Sequence, residues 1–238
     1  MSIVKHRKIF FALSIALTVL SLVGIIIHGI PQSIEFTGGA QLEVVYPEGA
    51  PELGVVRSAV EALDLGTVVV QPTDENGYLI KTRDLTEAER ASLLSTLSLG
   101  GTVSVDEVAY TSIGPSVGRE LKHKAIVSLI LVILTIVLFI AYAFRHVSKP
   151  VSSWKYGFTA IFTLGHDVIV TSGAFLLFSM FLGAEADTLF IIALLTVLGV
   201  SVNDTIVVFD RIRENLRVNE EKRIGKTFET VVGDSISE

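Results

Sequence analysis

The chain has 238 residues, with 19 Lys and Arg against 25 Asp and Glu, a formal net charge of −6 and no cysteine. Half of the residues are hydrophobic and only 18% are charged, against about a quarter in an ordinary soluble domain, and the mean hydropathy is +0.61. The lack of cysteine excludes a disulfide framework and a thiolate metal site. The apolar excess is gathered into four long runs, which excludes an ordinary soluble domain.

The first run, Ile9 to Ile27, carries no charge and follows Lys5, Arg7 and Lys8. A cleaved signal peptide would have a shorter apolar core, usually 7–15 residues, and a small-residue cleavage site, and neither is present. Residues 1–8 therefore read as a cytoplasmic N-terminus and 9–30 as an uncleaved first transmembrane helix. A helix needs roughly 20 mostly apolar residues to cross a ~30 Å hydrocarbon core.

Residues 31–122 read as a folded domain outside the membrane, with 14 acidic and 6 basic side chains. "SIEFTGGAQLEVVYP" predicts a strand with a bulge or bend at Gly38-Gly39. Residues 51–64 place Val55, Val56, Ala59, Val60 and Leu63 on one helical face. "GTVVVQPT" and "GYLIKTRD" flank Asp74-Glu75-Asn76-Gly77, a hairpin turn ending in Asn-Gly. Thr86 to Glu89 predicts a capping box opening a second helix, and "GTVSVDEVAYTSI" a last strand. The order βαββαβ matches the ferredoxin-like split βαβ motif. No nucleotide loop, nucleophile elbow or metal-ligand cluster stands out in it, so it reads as a binding or moving part, and no cofactor is expected.

The second span, 123–145, holds the uncharged run Ala125 to Phe144. A cytoplasmic loop, 146–155, leads to the third span, 156–182. A short external loop, 183–187, with Glu185 and Asp187, leads to the fourth, 188–210, and 211–238 forms a cytoplasmic tail. Lys and Arg near span ends mark the cytoplasmic side. Arg145, Lys149 and Lys155, with Trp154 as an interfacial anchor, flank the loop, and Arg211, Arg213 and Arg217 follow the fourth span. Both ends should be cytoplasmic and 31–122 external, or periplasmic if the cell has an outer membrane. The fold class is thus membrane α-helical, four transmembrane helices with an inserted α+β ferredoxin-like external domain.

Two spans carry ionisable groups. "FTLGHDVIVTSG" in the third has His166 and Asp167, and "GVSVNDTIVV" in the fourth has Asn203, Asp204 and Thr205. An ionisable residue inside a membrane is a functional hypothesis by default. At 1.5 Å per residue, Asp204 lies about 10 Å from Arg211 and Asp167 about 18 Å from Lys155, so the two carboxyl groups should be near enough in depth to share one polar pocket. Thr159, Thr163, His166 and Gly173 form a seam on the third helix. Thr196, Gly199 and Asn203 form a stripe on the fourth, with Ser201, Asp204 and Thr205 beside it. The plainer reading of these residues is interhelical glue, since small and hydroxylated residues let membrane helices approach and hydrogen-bond. Asp204 resists that reading, because an amide would bond as well without the cost of charging. Burial disfavours an anion, so such a carboxyl group can take up a proton and release it when a basic partner approaches. The five residues read as a proton or ion pathway. An enzyme alternative pairs Asp167 and Asp204 as an intramembrane aspartyl protease dyad, but Val-Asn-Asp-Thr is not the Gly-x-Gly-Asp of such proteases.

"NDTIVVFDRIREN" closely resembles the fourth-span signature of the SecD/SecF family, on its SecF side. "EFTGGA" resembles the segment after that family's first span, "VGREL" the approach to its second, "AYAFR" its end and "HDVIVTSG" its third. The SecD signature is closer to "DANVLIFERIRE", so Asn203-Asp204-Thr205 favours SecF. The resemblance implies a non-enzymatic, six-span bacterial inner-membrane subunit related to resistance-nodulation-division transporters. It implies a ferredoxin-like periplasmic domain and help with preprotein export driven by the proton motive force, or a sodium one. It implies SecD, the SecYEG channel, a translocating preprotein and membrane lipid as partners, and no nucleic acid. Asp204 matches the family's ion-carrying aspartate and Asp167 its third-span His-Asp pair. Val200 departs from the Tyr common there. The chain stops at Glu238 where a fifth span would soon begin, so the fifth and sixth helices, with the basic partner of Asp204, are expected to be missing through truncation. A third possibility is a scaffold of the channel that transports nothing.

Overall fold

A computed structural model describes residues 3–73, 76–143, 153–222 and 224–237. After a 3-10 turn over Ile3–His6 come α1 (Arg7–His28), α2 (Ile34–Thr37), β1 (Gly39–Val45), α3 (Leu53–Glu61), β2 (Val69–Thr73), β3 (Gly77–Thr82), α4 (Glu87–Leu97) and β4 (Asp106–Ile113). Then follow α5 (Pro115–Ala143), α6 (Ser153–Leu182), α7 (Thr188–Glu221) and α8 (Phe228–Ser237). Asp74 and Glu75 of the hairpin turn, and Arg145 and Lys149 of the basic loop, lie outside the described residues. Contacts divide the chain into two units, Gln32–Ala125 and the rest.

In Gln32–Ala125 the strands form one antiparallel sheet in the order β2-β3-β1-β4. Strand alternation supplies the reason for the core. Leu42 and Val44 of β1, with Tyr46 just beyond, meet Tyr78 and Ile80 of β3, and α3 and α4 add Val56, Val60, Leu93 and Leu97. The Tyr46 hydroxyl donates to the Leu97 carbonyl at 3.2 Å, and its ring meets Tyr78 edge-on at 6.0 Å. Burial, then the Tyr78 phenol, pushes the Tyr46 hydroxyl up to about 12. Pro72 is tolerated because β2 is an edge strand.

One expectation needs correction. The strand predicted from Ser33 begins only at Gly39, because Ser33 accepts from the Glu35 N–H and starts the helical turn α2. Gly38, at φ +77°, ends that turn. Of the bulge or bend expected at Gly38-Gly39 the structure has the bend, with both glycines at positive φ, and the β1–β4 register shifts instead at Glu43/Val44. The two glycines answer a packing demand. A methyl group on Gly38 would lie 2.8 Å from the Pro115 Cα, and one on Gly118 would lie 2.7 Å from the Gly38 nitrogen. The "EFTGGA" and "VGREL" segments are thus two sides of one backbone contact.

The other unit contains helices long and apolar enough to cross a membrane: Arg7–His28, Gly157–Leu182 and Thr188–Glu221, joined by most of Pro115–Tyr142. Their outer faces are bare apolar surface, as at Ile26, 74% exposed, and Phe181, 82% exposed. The chain is a multi-pass membrane protein, with apolar side chains turned to lipid rather than to a core. Ile136 and Ile140 of α5 pack with Ala160 of α6 and with Val202, Ile206 and Phe209 of α7. Asp187 caps α7 by accepting from the Phe190 N–H at 2.9 Å, and α8 folds back on α7 through Asn215 and Ser235, 3.1 Å apart.

Gly118→Ala should lower the thermal stability of the solubilised chain by about 1–3 kcal/mol, because backbone cannot yield to the added methyl. Gly157→Ala, which meets nothing within 4 Å, should not lower it. The Thr86–Glu89 capping box forms, and the Glu89 carboxylate also binds Arg83. The Arg83 guanidinium and then Thr86 hold Glu89 at about 2, below the usual 4.5. A depressed carboxyl stabilises above its unfolded value and loses that contribution as pH falls. Melting followed by the sheet's circular dichroism should therefore fall more steeply between about pH 4.5 and 2 in the native chain than in Glu89→Gln.

Candidate functional site

Successive residues on a helix point about 100° apart. His166 and Asp167 can therefore address different neighbours from one turn of α6. The His166 ring is 31% exposed and the Asp167 carboxyl 23%, and Nδ1 lies 2.9 Å from Oδ1. His166 faces α1, where Nε2 lies 2.7 Å from the Ser14 hydroxyl. Asp167 faces α7, where Oδ2 accepts from the Ser201 hydroxyl. Four side chains from three helices make one hydrogen-bonded chain.

The packing that aligns them follows from small residues. Ser14 meets His166, a methyl on Gly173 would lie 2.8 Å from the Ser21 Cα, and one on Gly24 would lie 3.3 Å from Leu176. These pairs keep a constant offset along both helices, so α1 and α6 run parallel with their backbones close. The Thr159, His166 and Gly173 seam is the face that α1 covers; Thr159 and Ser14 both border a cavity of about 760 Å³. Phe10, Phe11, Phe228 and the Arg7–Glu229 ion pair also line that cavity. Against α7 the packing is antiparallel, with the rings of Phe175 and Phe190 centred 4.2 Å apart.

Asn203 and Asp204 take the other side of α7. Leu198, Ser201, Val202, Ile206 and Phe209 are turned inward, whereas Asn203 and Asp204 are exposed and Thr205 is half-buried. Asp204 makes no hydrogen bond or ion pair among the described residues. The two carboxyl groups are matched in depth, since Ser201 is three residues from Asp204, but they do not share a pocket. The expected common site is corrected to two: a linked pair at His166–Asp167 and an open carboxyl at Asp204. The phase of α7 is the reason, because the residue bonded to Asp167 lies on its inner face. Asp167 is bonded to the inner face of α7 while Asp204 lies on its exposed face, so the two carboxyl groups are not paired with each other among the described residues. The stripe Thr196, Gly199 and Asn203 is also exposed, and Gly199 meets nothing within 4 Å.

Ser14 was not singled out by the sequence reading. The signal was there: Ser14, Ser21 and Gly24 share a face, spaced like His166, Gly173 and Leu176. Among the described residues no three His, Cys, Asp or Glu side chains gather as metal ligands.

The family described as "Protein export membrane protein SecD/SecF, C-terminal" matches residues 94–238. The protein translocase subunit SecF of Thermobaculum terrenum is 36% identical, over 98% of this chain and 75% of its own length. That of Anaerolinea thermophila is 32% identical, over 92% of this chain and 70% of its own. Both names denote translocase subunits and neither an enzyme. The crystal structure of SecDF, a translocon-associated membrane protein from Thermus thermophilus, superposes with a TM-score of 0.78 at 27% identity. A structure of SecDF in a super-membrane-facing form gives 0.61. Each covers 99% of this chain, which spans 30% of the SecDF chain and about three quarters of the first SecF relative. With a family match over more than half its length and SecF relatives aligned along nearly all of it, the chain belongs to the SecD/SecF family of protein export membrane proteins, as a SecF.

Proposed function

We propose that this chain acts in the Sec protein-translocation machinery, using the proton or sodium motive force to assist preprotein export across the cytoplasmic membrane. One observation carries the reading. Asp204 sits inside a membrane-spanning helix, exposed, with no partner among the described residues, beside Asn203 and between the exposed Val200 and Val207. A carboxyl group placed so is costly unless another helix or an ion answers it. Carrying one charge through the membrane potential yields about 2.3 kcal/mol per 100 mV, enough to bias a conformational step. His166, Asp167, Asn203 and Thr205 belong to the same pathway, grouped as the two sites described above.

The basic residues at span ends favour cytoplasmic termini and an external sheet domain in a bacterial inner membrane. The sheet order β2-β3-β1-β4 with two helices supports a ferredoxin-like type for that domain, and its acidic surface supports a role in handling polypeptide. SecD, the SecYEG channel, a translocating preprotein and surrounding lipid are the partners this role requires. A second reading, a scaffold that transports nothing, draws on the Ser14–His166–Asp167–Ser201 chain, which ties three helices together whether or not a proton moves.

Asp204→Asn, in the complete SecD–SecF complex in membrane vesicles, separates the two. Assembly should stay at the native level, while the part of preprotein export that an ionophore abolishes should disappear. Export that remains as sensitive to the ionophore as in the native complex would favour the scaffold.

A further inference from the structure

We propose that Ser14 and Ser201 are positioning residues of a proton relay at His166–Asp167, which latches α1, α6 and α7 and reverses its polarity when loaded. This deepens the proposed function and rests on it only for the use to which the relay is put. The argument begins with donors and acceptors. An ionised carboxyl group has only acceptors, and a neutral imidazole has one donor and one acceptor. Asp167 Oδ2 accepts from Ser201, and Oδ1 faces His166 Nδ1 at 2.9 Å. With Asp167 as carboxylate, Nδ1 must be the protonated nitrogen. Nε2 is then an acceptor, and the group 2.7 Å away that can donate to it is the Ser14 hydroxyl. The Asp167 carboxylate thus selects the tautomer, and Ser14, whose hydroxyl can donate or accept, holds the ring from its other nitrogen.

Loading follows without any other reagent. A proton from water enters by way of the Ser14 hydroxyl, which gives its own proton to Nε2 and keeps the incoming one. The Nδ1 proton passes to Asp167 Oδ1. The pair has gained one proton and become an Nε2–H imidazole beside a neutral carboxyl group. Nε2 now donates to Ser14, whose hydroxyl turns to a carbonyl in its own preceding turn. Thr18 already bonds the Ser14 carbonyl that way, at 2.8 Å. Ser14 is the deepest α1 residue bordering the 760 Å³ cavity, so the relay's outer end is its hydroxyl.

The Arg7–Glu229 ion pair lines the cavity that Ser14 borders, and within the spans few other groups can supply the charge. On α1 no ionisable side chain lies between Lys8 and His28, and on α5 Tyr142 is the one between Lys124 and Ala143. On α7 Asp204 is the one between Asp187 and Asp210, and it is turned outward. The bonds to Ser14 and Ser201 come from different helices: loading reverses the bond to Ser14 on α1, while Ser201 on α7 still donates to Asp167 Oδ2.

The test uses the full chain in lipid bilayers with ¹⁵N-histidine, and His6, His28, His123 and His146 replaced by Gln so that His166 is observed alone. Solid-state NMR at neutral pH should show Nδ1 protonated and Nε2 bare. Ser14→Ala should shift the Nε2 resonance, and Ser14→Thr, which keeps the hydroxyl, should restore it. Ser201→Ala should shift Nδ1. A resting Nε2–H tautomer would overturn the proposal, as would ring nitrogens unmoved in both alanine variants, or a Ser14→Thr spectrum that matches Ser14→Ala. These outcomes do not depend on export. A failed Asp204→Asn experiment would remove the proposed function while leaving the tautomer assignment standing.

Discussion

Hydrocarbon offers no hydrogen bonds, so every polar group on a membrane helix must be answered by another part of the protein. Two adjacent polar side chains on α6, His166 and Asp167, set that demand, and the three-helix packing is arranged around its answer. Ser14 comes from one side and Ser201 from the other, and each helix must hold one rotation and one depth for its hydroxyl to arrive. The close approach of α1 at Ser21 and Gly173 supplies the depth on one side. The short turn through Gly183 and the cap at Asp187 set the antiparallel register on the other.

Asp204 obeys the same constraint in the opposite sense. It is on a membrane helix, yet the described residues do not answer it. The molecule thus holds one polar group satisfied within its own bundle and one held open.

In Gln32–Ala125 close backbone approach adds a second constraint to the hydrogen bonds of the sheet. Pro115 and Gly118, at the start of α5, press on Gly38, so the first turn of that helix is held against the turn that ends α2. Both segments lie in Gln32–Ala125, and neither glycine leaves room for a side chain. The Arg83–Glu89–Thr86 cluster then secures the start of α4 on the same unit.

Much of this was legible beforehand, because hydropathy and alternation are local. Runs such as Ile9 to Ile27 announce membrane helices, Leu42–Val44 and Tyr78–Ile80 announce strand faces, and Thr86 with Glu89 announces a helix start. The helical turn at Ser33 was missed because one capping hydroxyl outweighed the β-rich pattern around it. Ser14 was missed for a different reason: a lone serine in an apolar run gains meaning only from the helix laid against it. The residue types and their helical spacing determined which groups could carry a charge in the membrane, since both are properties of one segment. Which face of α7 turned inward, and so which aspartate was bonded and which left open, was decided only when three helices packed, because rotation and register belong to the contact between segments.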